Sequence, residues 1–186
     1  MQVLQTKIPG LLIIEPKVFK DQRGYFFESY SYRKYQKFGI ENEFVQDNVS
    51  SSVRGVIRGL HYQLSPYAQG KLIQVLKGKV LDVVVDLRQG SPTFGEHLAL
   101  ELSDENHRQF FVPRGFAHGF SVLSEEVLFS YKCDNYYNKE SERGINFNDS
   151  SLNIDWQIPE SEIIVSPKDQ ALPSLEEAEK NFVFQS

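Results

Sequence analysis

The stretch KLIQVLKGKVLDVVVDLRQGSPTFG, Lys71 to Gly95, limits the fold more than any other part of the chain. Two apolar runs rich in Val, Ile and Leu flank the turn signal Lys77-Gly78, and a Gly, Ser and Pro cluster closes the second. Runs of this length and composition read as strands, and the intervening turn predicts a hairpin between them. EHLALELSDENHRQFFVPRG follows, with His97, Ala99 and Glu101 alternating against Leu98, Leu100 and Leu102 before a polar turn at Asp104 to Asn106 and another strand. A further strand pair is expected around FSVLSEEVLFSYKC. Short strands separated by turns predict an all-β sandwich, barrel or jelly roll rather than alternating βα units. Helix is limited to short peripheral pieces. YSYRKYQKFG is expected to form one that ends at Gly39, and SLEEAEKNF another, with Ser174 as N-cap and Glu176 and Glu177 in its first turn.

With 186 residues, 40% of them hydrophobic, the chain can bury a substantial core. No repeat, linker or low-complexity tract divides it, so a single domain over residues 1–186 is expected. The net charge of −5 and a pI near 5.4 argue against a nucleic-acid or membrane-surface binder, which needs an excess of Lys and Arg on one face. An anionic ligand would have to be met by a local cationic cluster. The lone Cys133 cannot form an intramolecular disulfide and is read as a packing residue. Near the N-terminus only Leu11 to Ile14 form an apolar run, too short for a signal-peptide core or a membrane span. A soluble, unexported, cytoplasmic protein is expected.

Chemistry concentrates in two motifs. In RGLHYQ, Arg58 suits an anion, as does Arg54 just before the motif, while His61 suits proton transfer or metal binding. PRGFAHGF presents His118 after a Pro-Arg-Gly turn. His97 and His107 have no motif around them and are expected in solvent. The Pro-x-Gly-x-x-His pattern resembles the second metal motif of cupin jelly rolls. The first cupin motif is resembled with changes: His61 holds the first ligand position, Gln63 replaces the second histidine, and Lys71 replaces the glutamate ahead of Gly78. A protonated amine has no lone pair for a metal and repels a divalent cation, so no metal is expected. A base candidate beside a cation suits proton abstraction next to a carbonyl, with the ammonium stabilising the enolate oxygen.

DQRGYFFESY, FVQDNVSSSVRGVIRGLHYQ, QGKLIQVLKGKVLDVVVDLRQGSPTFG, FFVPRGFAHGFSVLSEEVLFSYKCDNYYN, ERGINFND and IVSPKD, in this order, resemble the signature segments of the dTDP-4-dehydrorhamnose 3,5-epimerase family. The resemblance covers most of the chain and implies a cupin-type jelly roll. It also implies a cofactor-free enzyme that inverts C3 and C5 of dTDP-4-dehydro-6-deoxyglucose, whose C4 ketone acidifies both hydrogens. By the same resemblance His61 is the base, Asp169 its carboxylate partner, Lys71 the cation at the C4 oxygen and Tyr131 the acid on the opposite face. Arg58 would hold the diphosphate. Arg23, Glu28, Gln46, Asp47 and Asn48 would surround the nucleotide, Tyr137 would stack on thymine, and His118, Glu142 and Lys168 would complete the binding site. A homodimer with an exchanged N-terminal strand is implied, so that Arg23 or Glu28 could serve the partner's site. The alternatives are an epimerase acting only at C3 or only at C5, a metal-dependent cupin oxygenase or isomerase, and a non-catalytic nucleotide-sugar binding module.

Overall fold

The computed structural model describes residues 1–185. Thirteen strands occur in it: β1 (Gln2–Gln5), β2 (Leu12–Glu15), β3 (Phe19–Asp21), β4 (Gly24–Phe26), β5 (Gln46–Val53), β6 (Ile57–Gln63), β7 (Lys71–Lys77), β8 (Lys79–Asp86), β9 (His97–Ser103), β10 (Gln109–Val112), β11 (Phe116–Val122), β12 (Glu126–Cys133) and β13 (Glu142–Gly144). A six-stranded sheet in the order β1-β2-β10-β7-β12-β5 faces a five-stranded sheet in the order β13-β6-β11-β8-β9. The β3–β4 hairpin stands apart. The result is the expected all-β jelly roll with short peripheral helices, α1 (Tyr32–Tyr35) and α2 (Pro167–Gln170).

The expected strands between Lys71 and Cys133 form as β7 to β12, but their pairing differs, and β1 to β6 and β13 had not been expected. β7 and β8 do not form a hairpin: β7 pairs with β10 and β12, whereas β8 pairs with β9 and β11 in the opposite sheet. The short connections from β9 to β10 and from β11 to β12 cross between the sheets in the same way. A turn signal marks where a strand ends, while burial on both sides decides which sheet it joins. β8 is buried at seven of its eight positions, which is why Val80 to Val85 reads as a nearly unbroken apolar run. At Gly78, with φ of +82°, an added Cβ would meet the Glu126 carbonyl oxygen at 2.1 Å, so glycine alone fits this crossing.

Between the sheets, Ile73, Val75, Val80, Val84, Phe110, Phe120 and Phe129 fill the barrel. Each such side chain contributes about 1.5–3 kcal/mol by leaving water. The outer face of the five-stranded sheet is covered by the C-terminal segment through Ile145, Leu152, Trp156 and Phe182. Tyr35 and Ile40 cover the outer face of the other sheet over Leu12, Ile14, Leu72 and Phe111. The first predicted helix does end at Gly39, after a 3-10 turn over Gln36–Phe38. The second does not form. Ser174 and Glu177 bond reciprocally, as a capping pair would, but the chain makes only a turn before Ala178 and Phe182 anchor it to the core. Packing overrides propensity here.

Candidate active site

One end of the barrel is not filled by apolar side chains. It opens into a cavity of about 610 Å³ lined from both sheets and from the α2 turn. Its floor is aromatic: Phe120 and Phe129 stack at 4.2 Å, and His118 lies parallel to Phe129 at 6.1 Å. His61 on β6 and His118 on β11 are cross-strand partners. Lys71 and Tyr131 come from β7 and β12 of the opposite sheet, and the Lys71 ammonium lies 5.8 Å from the Tyr131 ring centre.

His61 Nε2 lies 2.9 Å from Asp169 Oδ1. An ionised carboxylate only accepts, so Nε2 carries the proton and Nδ1 keeps its lone pair for the cavity. Asp169 is itself fixed. Its second oxygen accepts from the Gly59 N–H, and its own N–H donates to Ser166 Oγ, the cap of α2, with Pro167 next in the chain. Burial pushes the Asp169 carboxyl up, but the His61 bond, the His61 charge and these donors hold it below the ordinary value.

Burial raises the Tyr131 phenol, so it stays protonated at neutral pH as a proton donor. The Lys71 amine is pushed down by burial and pulled back by neighbouring acidic groups. Arg58 Nε donates to Ser52 Oγ at 3.0 Å, which aims the rest of the guanidinium while leaving its terminal nitrogens for an anion. At the rim, Glu142 accepts from the Tyr137 hydroxyl at 3.0 Å and from Lys168 Nζ at 2.7 Å. Burial raises the Glu142 carboxyl, but those two donors bring it below its usual value.

Nine residues singled out in the sequence therefore line one cavity: Arg58, His61, Lys71, His118, Tyr131, Tyr137, Glu142, Lys168 and Asp169. The remaining five do not. Gln46 receives the Tyr137 N–H and bonds Asn48, just outside the lining. Asp47 points to the opposite face of β5, where Lys132 holds it at 3.0 Å. Arg23 pairs with Asp21 on the exposed β3–β4 hairpin, and Glu28 pairs with Lys34. Arg54 is also not an anion site, because Glu162 holds it at 2.9 Å. His107 is not in solvent; it is buried against the rings of Tyr25 and Phe27. His97 is half-buried.

One working residue, Ser52, went unnoticed in the sequence, and the role of another, Gln63, was not read there. Ser52 lies on the face of β5 where its alternating Ser50 and Asn48 neighbours signal an inward row. Gln63 is buried, and its amide donates to the carbonyls of Tyr67 and Tyr136 and accepts from the Asn138 N–H. The position of the second cupin histidine thus clamps the loop that carries Tyr137. Among the described residues no group of three or more His, Cys, Asp or Glu side chains could hold a metal.

Fold and cavity together define a cupin-type jelly roll equipped for proton transfer, with a carboxylate-oriented imidazole from one sheet and a phenol and an ammonium from the other. The dTDP-4-dehydrorhamnose 3,5-epimerase profile matches residues 5–177. An enzyme of that name from Shigella flexneri is 54% identical over 170 residues, 91% of this chain and 93% of its own. The crystal structure of a dTDP-6-deoxy-D-glucose-3,5-epimerase from Legionella pneumophila, in complex with dTDP-4-keto-L-rhamnose, superposes with a TM-score of 0.95 at 49% identity, covering 100% of this chain and 99% of that one. A 3'-monoepimerase from Streptomyces bikiniensis in complex with dTDP is more distant, with a TM-score of 0.86, 31% identity and coverage of 92% and 86%. The chain belongs to the dTDP-4-dehydrorhamnose 3,5-epimerase family.

Proposed function

We infer that this chain is an isomerase that inverts C3 and C5 of dTDP-4-dehydro-6-deoxy-D-glucose to give dTDP-4-dehydro-L-rhamnose, a step of dTDP-rhamnose synthesis. The observation that carries the mechanism is the placement of the His61–Asp169 pair and the Tyr131 phenol on opposite sheets of one cavity, with Lys71 beside Tyr131. His61 Nδ1 takes the proton from the carbon next to the ketone, and the C–H electron pair moves onto the C4 oxygen. Lys71 faces that oxygen as it becomes an enolate, which is where a preorganised cation lowers the barrier most. Tyr131 delivers a proton to the other face, so the centre inverts, and solvent exchange resets both groups for the second carbon. Arg58 binds the diphosphate, Tyr137 stacks on the base, and Glu142, His118 and Lys168 hold the sugar end, with Gln46 and Asn48 at the nucleotide.

The active form is a cytoplasmic homodimer that exchanges an N-terminal strand. This reading is supported by Arg23 and Glu28, which lie away from the cavity of their own chain, and by Phe19, Tyr25 and Phe26, which are more than half exposed beside them. In the dimer Arg23 and Glu28 meet the nucleotide of the neighbouring site. Mixing Arg23→Ala chains with His61→Ala chains should then regenerate intact sites and activity. Among the described residues no helix is long and apolar enough to cross a membrane.

Proton NMR of the substrate with the enzyme in deuterated water tests the chemistry at each carbon. Inversion with deuterium at both C3 and C5 is expected, whereas inversion at one carbon alone would make this a single-centre epimerase. In Tyr131→Phe, deuterium uptake with retained configuration should outlast inversion, because His61 can return a proton only to the face it came from. Undiminished inversion in that variant would assign the acid to another group.

A further inference from the structure

The β3–β4 hairpin and the chain just after it form an arm that carries Arg23 and Glu28, yet neither sheet takes the hairpin in: its two strands pair only with each other. Two residues around the start of β10 hold it instead. His107 is buried, and its ring centre lies 4.5 Å from that of Tyr25 and 5.2 Å from that of Phe27. Gln109 is also buried; its Nε2 donates to the Ser29 carbonyl at 2.6 Å and to Gln74 Oε1 at 3.0 Å, while its Oε1 accepts from the Tyr35 hydroxyl. Glu28 therefore sits between two clamped neighbours, Phe27 and Ser29.

The turn that supplies His107 is itself braced. Asn106 Oδ1 accepts from the Ser103 and Arg108 N–H groups, its amide donates to the Glu101 carbonyl, and its own N–H donates to Ser103 Oγ. The bend leaves His107 with φ of +53°, a left-handed conformation uncommon for a residue with a side chain. Among the described residues neither Tyr25 nor Phe27 packs with the three buried apolar clusters, so the stack on His107 does not serve the barrel core. What it fixes is the arm, on which Phe19 and Phe26 stay more than half exposed.

We propose that the β9–β10 turn is the mount of an arm that reaches into the neighbouring site of the dimer, with His107 and Gln109 as positioning residues for Arg23 and Glu28. An arm set in place beforehand loses less freedom when it meets a nucleotide, so loosening it weakens binding and leaves the proton transfers alone.

This inference rests on the dimer reading, in which the arm serves the neighbouring site, and its test separates the two ideas. In His107→Asn the ring is lost while the left-handed turn is kept, since asparagine takes that conformation readily. Kinetics are read in heterodimers purified through two different tags, with His61→Ala in one chain so that a single live site remains. The arm of the His61→Ala chain serves that site. His107→Asn in that chain should raise KM about fivefold or more with kcat nearly kept, whereas the same change in the chain with the live site should leave KM alone. A KM unmoved by either placement would overturn the role of His107, and so would a fall in kcat at constant KM. Arg23→Ala in the same two placements reports on the dimer reading separately, which stands if KM rises only with the His61→Ala chain. A rise that follows the live chain for both changes would show that each arm serves its own site, and delivery across the dimer would be refuted. When the His61→Ala chain already bears Arg23→Ala and Glu28→Ala, adding His107→Asn should raise KM no further; an undiminished rise would show that His107 does not act through those two residues. Should His107→Asn not fold, Phe27→Ala removes the other ring of the stack and is read in the same heterodimers.

Discussion

The molecule contains two histidine–carboxylate pairs whose histidines lie on adjacent strands, each with a contact of 2.9 Å, and the difference between them is burial. The His61 side chain is 32% exposed and opens into the cavity, while that of His118 is 8% exposed and Asp82 is sealed. Burial pushes the His118 ring down and the Asp82 carboxyl up, whereas Asp169 stays low because a backbone N–H and His61 both donate to it. The same two side chains thus give a proton carrier where solvent and substrate can reach, and a sealed pair that burial pushes towards its uncharged forms where they cannot. Distance alone does not identify a catalytic dyad.

The comparison breaks most visibly at the imidazoles. His61→Ala should lower kcat on the order of 10³–10⁴-fold, the upper range for a general base, with dTDP affinity unchanged by calorimetry. His118→Ala should keep measurable turnover and act mainly through KM. Next comes the ammonium on the opposite sheet: Lys71→Met should lower kcat about a hundredfold or more, as loss of an oxyanion donor does. Arg58→Ala touches neither pair, so a rise in KM of about tenfold with kcat nearly kept is expected in steady-state kinetics. The smallest effect should come from Ser166→Ala, which removes the cap behind Asp169. It should cost about 1 kcal/mol in denaturant unfolding and lower kcat only severalfold.

Acid titration sharpens the comparison in the opposite sense for the two carboxylates. Asp169 is depressed in the folded state, so its contribution to stability is present above the ordinary carboxylate range and is lost as pH falls through its lowered value. Asp82 is raised, so taking up a proton favours the folded state there. Thermal melts should therefore fall less steeply with acid in Asp169→Asn than in the parent.

The strands between Lys71 and Cys133 were legible from alternation and turns, but their partners were not, because Gly78 reads the same whether the chain folds back within a sheet or crosses to the other. His61 stood out in RGLHYQ itself, but the roles of Lys71 and Tyr131 could be named only through resemblance, since spacing along the chain does not tell which sheets face each other. Asp169 was more legible than that resemblance alone suggested: Ser166-Pro167-Lys168-Asp169 is a capping pattern that announces a helical turn, and the turn is what aims the carboxylate. The roles of Gln63 and Ser52 stayed hidden because their partners are a loop backbone and an arginine brought close only by folding.

Deuterium wash-in at C3 and C5, followed by proton NMR with saturating substrate, compares the two pairs most directly in His61→Asn and His118→Asn. Wash-in should vanish at both carbons in His61→Asn and persist in His118→Asn. Wash-in retained in the first and lost in the second would show that the sealed pair, not the open one, moves the proton.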